Sequence, residues 1–208
     1  MTATLPTRPD TTTTPATTRR LLLAGAVAAP LWTTVALAQA VLRPDFDFSV
    51  QPLSMLSTGS LGWLQITNFV VGGLLVLAGA VGLRRRLPQH PWLGRLTGVY
   101  GVGFVAAGAL VLDPPGTTAM SWHGAGHLLA GTLAFAALAA ACVVLAVRFR
   151  REGRPGAAVV SVLGAVTVVA GNAWAMTGGA LGSMTLGFGV IAAMLWVSAV
   201  CARATTGR

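Results

Sequence analysis

Six stretches of this chain, at about residues 21–42, 62–83, 96–112, 122–147, 157–177 and 180–202, contain no Asp, Glu, Lys or Arg. That freedom from charge limits the fold more than any motif does. A helix of about 20 apolar residues crosses a hydrocarbon core about 30 Å thick. In lipid a backbone N–H or C=O has no water to bond, so each run must satisfy its own hydrogen bonds, as a helix does. The fold class that follows is all-α: a polytopic membrane protein, a bundle of six transmembrane helices spanning residues 19–203. Only 9% of the 208 residues are charged. A soluble domain is about a quarter charged, so this chain has too little polar surface to face water alone. Residues 1–18, rich in Thr and Pro, read as a disordered cytoplasmic tail, and 204–208 as a second, short one.

The 14 basic residues are all arginine, and most fall in blocks between the apolar runs. With the N-terminus in the cytoplasm, every arginine except Arg43 lies on the inner side. This places a multi-pass protein in the cell membrane with both termini cytoplasmic and an even number of spans. Trp63, Trp92, Trp122 and Trp174 fall near run ends, where an interfacial aromatic belt would sit. The bilayer is the evident partner, and the arginine blocks favour anionic headgroups. Nucleic acid is excluded as a partner, because the blocks lack interleaved aromatics and a soluble domain to present them. Arg19-Arg20 and the Ala36-Leu37-Ala38 triplet resemble an export signal with its cleavage site. Such signals deliver soluble cargo, whereas more membrane follows here, so the run reads as a retained span. Cys142 and Cys201 lie near inner, reducing ends and are expected to be free thiols.

The polar residues have a one-sided distribution. Asp45, Asp47, Gln65, Asn68, Asp113, His123, His127 and Asn172 all fall in outer loops or in the outer parts of spans. His123 and His127 share one helix face at i and i+4, just after Ser121, which reads as the N-cap of its helix. Ionisable groups within a span are costly and mark either function or a polar partner. Two chemistries fit the pair. The imidazoles could chelate a zinc-like divalent metal, with Asp113, or Asp45 or Asp47, as third ligand. The open position left for water would then suit a metal-dependent hydrolase at the outer face. Alternatively they could join a hydrogen-bonded network with Gln65, Asn68 or Asp113. Haem is excluded, since axial ligation needs histidines from two helices and His90 lies in an inner loop. No G-x-S-x-G elbow surrounds Ser54, Ser57 or Ser121, and no phosphate-binding loop is present. Arg43 is expected to snorkel at a span end. The inner halves of the spans are Ala, Val, Leu and Gly, with Ala78/Gly82, Gly94/Gly98 and Gly178/Gly182 spaced for close helix packing. A transporter places its site near the midplane, where these spans offer nothing ionisable. The reading is therefore a non-enzymatic membrane protein with an outward-facing polar pocket for a lipid or small amphiphile, closed below His127.

Several motifs together carry a resemblance. They are PLSMLSTGSLGWLQITNF at 52–69, Gly98-Val99-Tyr100-Gly101, Asp113-Pro114, and Ser121-Trp122-His123-Gly124 with His127. In this order, over residues 19–203 with six apolar runs, the chain resembles the bacterial membrane proteins grouped as domain-of-unknown-function family 998. The resemblance implies a six-helix membrane fold, distantly similar to the Frag1/DRAM-like proteins. It implies no activity.

The arginine asymmetry makes a topological prediction. A reporter active only in the cytoplasm, fused after Arg208, should be active, as should an externally active reporter inserted between Asp113 and Ser121. Silence from either one contradicts the orientation.

Overall fold

The structure is a computed structural model that describes residues 14–206. The reading of 1–13 as disordered tail, and the sidedness of Arg8 and Arg208, lie outside the described residues. The chain forms six α-helices: α1 (Ala16–Leu42), α2 (Gly62–Arg86), α3 (Pro91–Ala109), α4 (Trp122–Arg151), α5 (Pro155–Met176) and α6 (Gly182–Ala204). A short 3₁₀ turn, Leu53–Ser57, lies in the loop between α1 and α2. No strand occurs among the described residues. All the helices but α3 are long and apolar enough to cross a membrane. The exception, α3, is the shortest at 19 residues, and Arg95, Tyr100 and its glycines dilute its apolar character.

Helix ends differ from the sequence expectation for a consistent reason. The arginine blocks belong to helices rather than loops. Arg84, Arg85 and Arg86 form the last turn of α2, and Arg148, Arg150 and Arg151 the last turn of α4. Cations there face the negative end of the helix dipole and the unpaired carbonyls. Pro91 and Pro155 open α3 and α5 at the first helical position, where a missing N–H costs nothing. Between α4 and α5, Gly153 takes φ 68°, the left-handed conformation that closes a helix without a Cβ clash. At its other end α3 stops at Ala109, short of the expected 112, and Leu110 leaves the helical region.

Each helix packs on its neighbours in sequence, and α1 closes the ring against α6. The C-terminal ends of α2, α4 and α6 meet around one cavity lined by Arg86, Arg148, Glu152, Arg203 and Ala204. The helices therefore alternate in direction, and α3 carries the chain back between α2 and α4. Buried positions favour Ala and Gly, while Leu and Val such as Leu74, Val102, Leu129 and Val169 face outward. This is the arrangement of a bundle whose exterior solvent is lipid. Trp63, Trp92, Trp122 and Trp174 are exposed at helix ends.

Close packing runs along glycine seams, though mostly not the expected ones. A Cβ on Gly25 would lie 2.7 Å from the Gly79 Cα, so α1 and α2 touch backbone to backbone. A Cβ on Gly103 would lie 2.8 Å from the Ala134 Cβ, which fixes α3 against α4. Of the expected pairs, Gly82 abuts Leu22 and Gly94 abuts α2, while Gly98 has only Ala80 at 3.9 Å. Gly178 lies in the α5–α6 turn with φ 70°, and a Cβ there would meet nothing. Gly79→Leu should overpack the α1–α2 seam and cost about 1–3 kcal/mol, read as a lower thermal midpoint in detergent. Gly98→Ala should leave that midpoint unchanged or raise it. Equal effects of the two would contradict the seam assignment.

Candidate functional site

The polar residues of the outer end are organised by the way α3 stops. The last carbonyls of a helix have no partner within it, and those of α3 fall inside the charge-free apolar run that continues to Leu112. α4 runs antiparallel beside α3 and brings its first two turns level with them. The Nδ1 of His127 donates to the Leu110 carbonyl (2.7 Å) and lies 2.9 Å from that of Ala107. One turn earlier, the Nδ1 of His123 donates to the Val111 carbonyl at 2.7 Å. A carbonyl only accepts, so Nδ1 carries the proton in both rings. His127 is buried and meets the edge of Phe69 at a centroid distance of 6.0 Å, whereas the His123 side chain is 40% exposed. The i, i+4 spacing thus lets one face of α4 cap the C-terminus and exit of α3.

Asp113 serves the opposite end of the same junction. Its Oδ2 accepts from the Ser121 N–H at 2.9 Å, and the Ser121 Oγ accepts from the Gly124 N–H at 3.0 Å. Ser121 is therefore the N-cap of α4, as the sequence indicates. The carboxylate lies where a Cβ on Gly124 would stand, which explains glycine at that position. The Ser121 hydroxyl and backbone N–H hold the Asp113 carboxyl below the usual carboxylate range. The Asp113 Oδ1 is 4.0 Å from the His123 Nδ1, beyond hydrogen-bond reach.

Gln65 and Asn68 form a separate group between α1 and α2. The Gln39 Nε2 donates to the Gln65 Oε1 at 2.9 Å, and the Asn68 Nδ2 donates to the Trp32 carbonyl at 3.0 Å. Gln65 is 0% exposed, yet its Nε2 has no partner in the structure, nor has the Gln39 Oε1. Below them, four side chains from α1, α2 and α3 pack into an aromatic cluster. Trp32, Phe69, Tyr100 and Phe104 have ring centroids 4.8 to 5.7 Å apart. The Trp32 Nε1 and the Tyr100 hydroxyl are buried there without hydrogen bonds.

The first loop covers this end of the bundle. Arg43 is buried rather than snorkelling: it donates to the Leu56 carbonyl at 2.7 Å and the Thr58 carbonyl at 3.0 Å. This pins the 3₁₀ turn against α1 and α2, with Leu53 and Leu56 buried. The turn packs against both α1 and α2. Asp45 is 72% exposed and 3.6 Å from Arg43. Asp47 accepts from the Ser49 hydroxyl and N–H at 2.6 and 2.8 Å, bonds that stabilise its charged form. Asn172 is half-buried on α5, which packs on α4 and α6. The eight expected residues thus divide into an α3–α4 junction, an α1–α2 amide group, a loop pair and an isolated asparagine.

Among the described residues no three of His, Cys, Asp and Glu are grouped to hold an ion. Each histidine gives its Nδ1–H to a carbonyl, which leaves Nε2 free, and Asp113 is engaged by Ser121. Gln39, Trp32, Tyr100 and Arg43 belong to the outer architecture but are missing from the expected set. Gln39 had a sequence signal, an amide within an apolar run. The partners of Arg43 had none, because they are backbone carbonyls. Cys142 and Cys201 are free and buried.

A family model described as "Protein of unknown function (DUF998)" matches residues 26–203. The chain belongs to this family. Comparison with curated proteins and with solved structures gives no match. The DUF998 match covers all six helices except the first turns of α1 and the last residue of α6.

The junction makes two predictions. His127→Ala strips buried carbonyls of their donor and should cost about 1–3 kcal/mol. His123→Ala, at a half-exposed site, should cost clearly less by thermal unfolding. Equal costs would contradict the assigned burial. The Asp113 carboxyl is held below its unfolded value, so its contribution is full at neutral pH and is lost as pH falls below the ordinary carboxylate range through the lowered folded value. Asp113→Asn should flatten that part of the stability–pH curve, and an unchanged curve would remove Asp113 from the junction.

Proposed function

We propose that the protein is a non-enzymatic integral membrane protein of six spans, with both termini cytoplasmic, that holds a small amphiphile against the buried amides of its outer half. The observation that carries this reading is the incomplete pairing of Gln39 and Gln65, one offering a carbonyl and the other an N–H with no partner. Leaving such groups unpaired in a dry interior costs about 1–3 kcal/mol each. A group that donates and accepts, such as a hydroxyl or amide headgroup, would complete both. The buried roof of Leu53 and Leu56 favours an enclosed occupant over an open outward pocket. Crossing by α3 is supported by the shared end of α2 and α4, which requires the chain to return between them. The inner position of the termini is supported by the arginines at the ends of α2, α4 and α6.

Hydrolysis has less support, since His123, His127 and Asp113 are each engaged in closing helix ends. A transport path has less again, since the aromatic cluster fills the space below the amides. Extraction and mass spectrometry of molecules bound to detergent-purified protein test the proposal. The wild type should carry a hydroxyl- or amide-bearing amphiphile, and Gln65→Leu should lower its occupancy at least about tenfold, as loss of a buried hydrogen bond predicts. An empty wild type, or equal occupancy in the folded variant, overturns it. One metal ion per chain, lost in His127→Ala, would favour the hydrolase instead.

A further inference from the structure

At the end opposite the histidines, a cavity of about 240 Å³ lies among the ends of four helices. Arg86 of α2, Arg148 of α4, Arg154 before α5 and Arg203 of α6 line it, together with Glu152 and Phe149. Four guanidiniums therefore face one carboxylate. Glu152 is largely taken by Arg148, whose Nε lies 2.7 Å from its Oε1, while Arg154 is 3.9 Å away. Among the described residues Arg86 and Arg203 have no carboxylate within 4.0 Å. Arg86 is steadied by donating its Nε to the Ala204 carbonyl at 3.3 Å. Aromatic faces hold the others: Arg148 and Arg154 lie 5.3 and 4.7 Å from the Phe149 ring, and Arg203 lies 5.8 Å from that of Trp196. The charges are thus fixed before any ligand arrives, which lowers the ordering cost of binding.

Two more features narrow the ligand. The first turn of α5 begins at Pro155 with no side-chain cap, so its free N–H groups and dipole favour an anion beside Arg154. A second, shallower cavity of about 380 Å³ shares Arg154 and Arg203 with the first and continues along α5 and α6. Its walls are Pro155, Gly156, Ala157, Val160 and Trp196. Trp196 is held in place by its Nε1, which donates to the Ser161 Oγ at 2.8 Å. Val160 and Trp196 lie about 8 and 12 Å in from the helix ends by helical rise, at acyl-chain depth. A charged cavity that opens into an apolar groove running toward the bilayer centre has the form of a lipid rather than of a free ion.

We infer that this end of the bundle binds an anionic phospholipid of the inner leaflet, with the headgroup phosphate among Arg86, Arg148, Arg154 and Arg203 and an acyl chain along the α5–α6 groove. The site is independent of the outer amide group. It also differs from the diffuse attraction of any basic surface to an anionic membrane, because two specific walls receive the molecule. Guanidinium–phosphate contacts supply the affinity, and the groove supplies the preference for a lipid.

Native mass spectrometry of the full chain in detergent, titrated with phosphatidylglycerol or phosphatidylcholine of equal chain length, tests this. Phosphatidylglycerol should bind at one site, at least about tenfold more tightly than phosphatidylcholine. Arg154→Gln with Arg203→Gln should weaken it about tenfold or more, whereas Arg84→Gln with Arg85→Gln, an equal charge loss on exposed arginines outside the cavity, should not. Val160→Trp fills the groove from an exposed position and should weaken phosphatidylglycerol binding with every arginine in place. Gln65→Leu should leave it unchanged, which separates this site from the outer one. The proposal is overturned if the two lipids bind alike or if Arg84→Gln with Arg85→Gln matters as much as the cavity pair. It is also overturned if inorganic phosphate displaces the lipid at equal concentration, which would mark a site for a free anion.

Discussion

A carbonyl at the end of a helix that stops within or beside the hydrocarbon has no water to turn to, and this constraint shapes the outer half of the bundle. α3 is the shortest helix, and its last carbonyls must be met from outside it. The two histidines of α4 meet them, and Asp113 with Ser121 closes the matching amide end of α4. Arg43 does the same for the 3₁₀ turn that roofs α1 and α2. The conspicuous ionisable residues of this end are thus backbone partners first. That accounts for their gathering at one end of the molecule without converging on one point.

The two ends of the bundle solve different problems. The outer end is closed by side chains that finish broken backbone, while the amides of Gln39 and Gln65 and the polar atoms of Trp32, Thr33 and Tyr100 are incompletely paired. At the inner end the helices finish in arginine, and the four guanidiniums of the cavity exceed the one carboxylate beside them. Charge not spent on structure is charge that can bind. The two cavities described accordingly lie among the arginines.

Much of the architecture was legible in the sequence because it depends on quantities summed over many residues. Charge-free runs gave the helices to within a few residues, and Ser121 announced the start of α4. What escaped depends on single contacts between elements. The partners of His123, His127 and Arg43 are carbonyls, which carry no residue signature. The backbone seam of Gly25 against Gly79 joins separate helices, so no spacing within one run reveals it. Gln39 was visible as a polar residue in a span, but its pairing with Gln65 needed the register of α1 against α2. The short reach of α3 reflects Leu110 leaving the helix, where Val111 and Leu112 prolong the apolar run beyond the helix itself.

The central claim is that the outer histidines close helix ends rather than bind metal, and imidazole nitrogen NMR on ¹⁵N-histidine-labelled protein addresses it most directly. At neutral pH the account predicts that His127 is a neutral ring protonated at Nδ1, with a hydrogen-bonded Nδ1–H signal and a bare Nε2, unaffected by chelator. A ring protonated at Nε2, or a Nε2 resonance that shifts on chelation, would contradict the account.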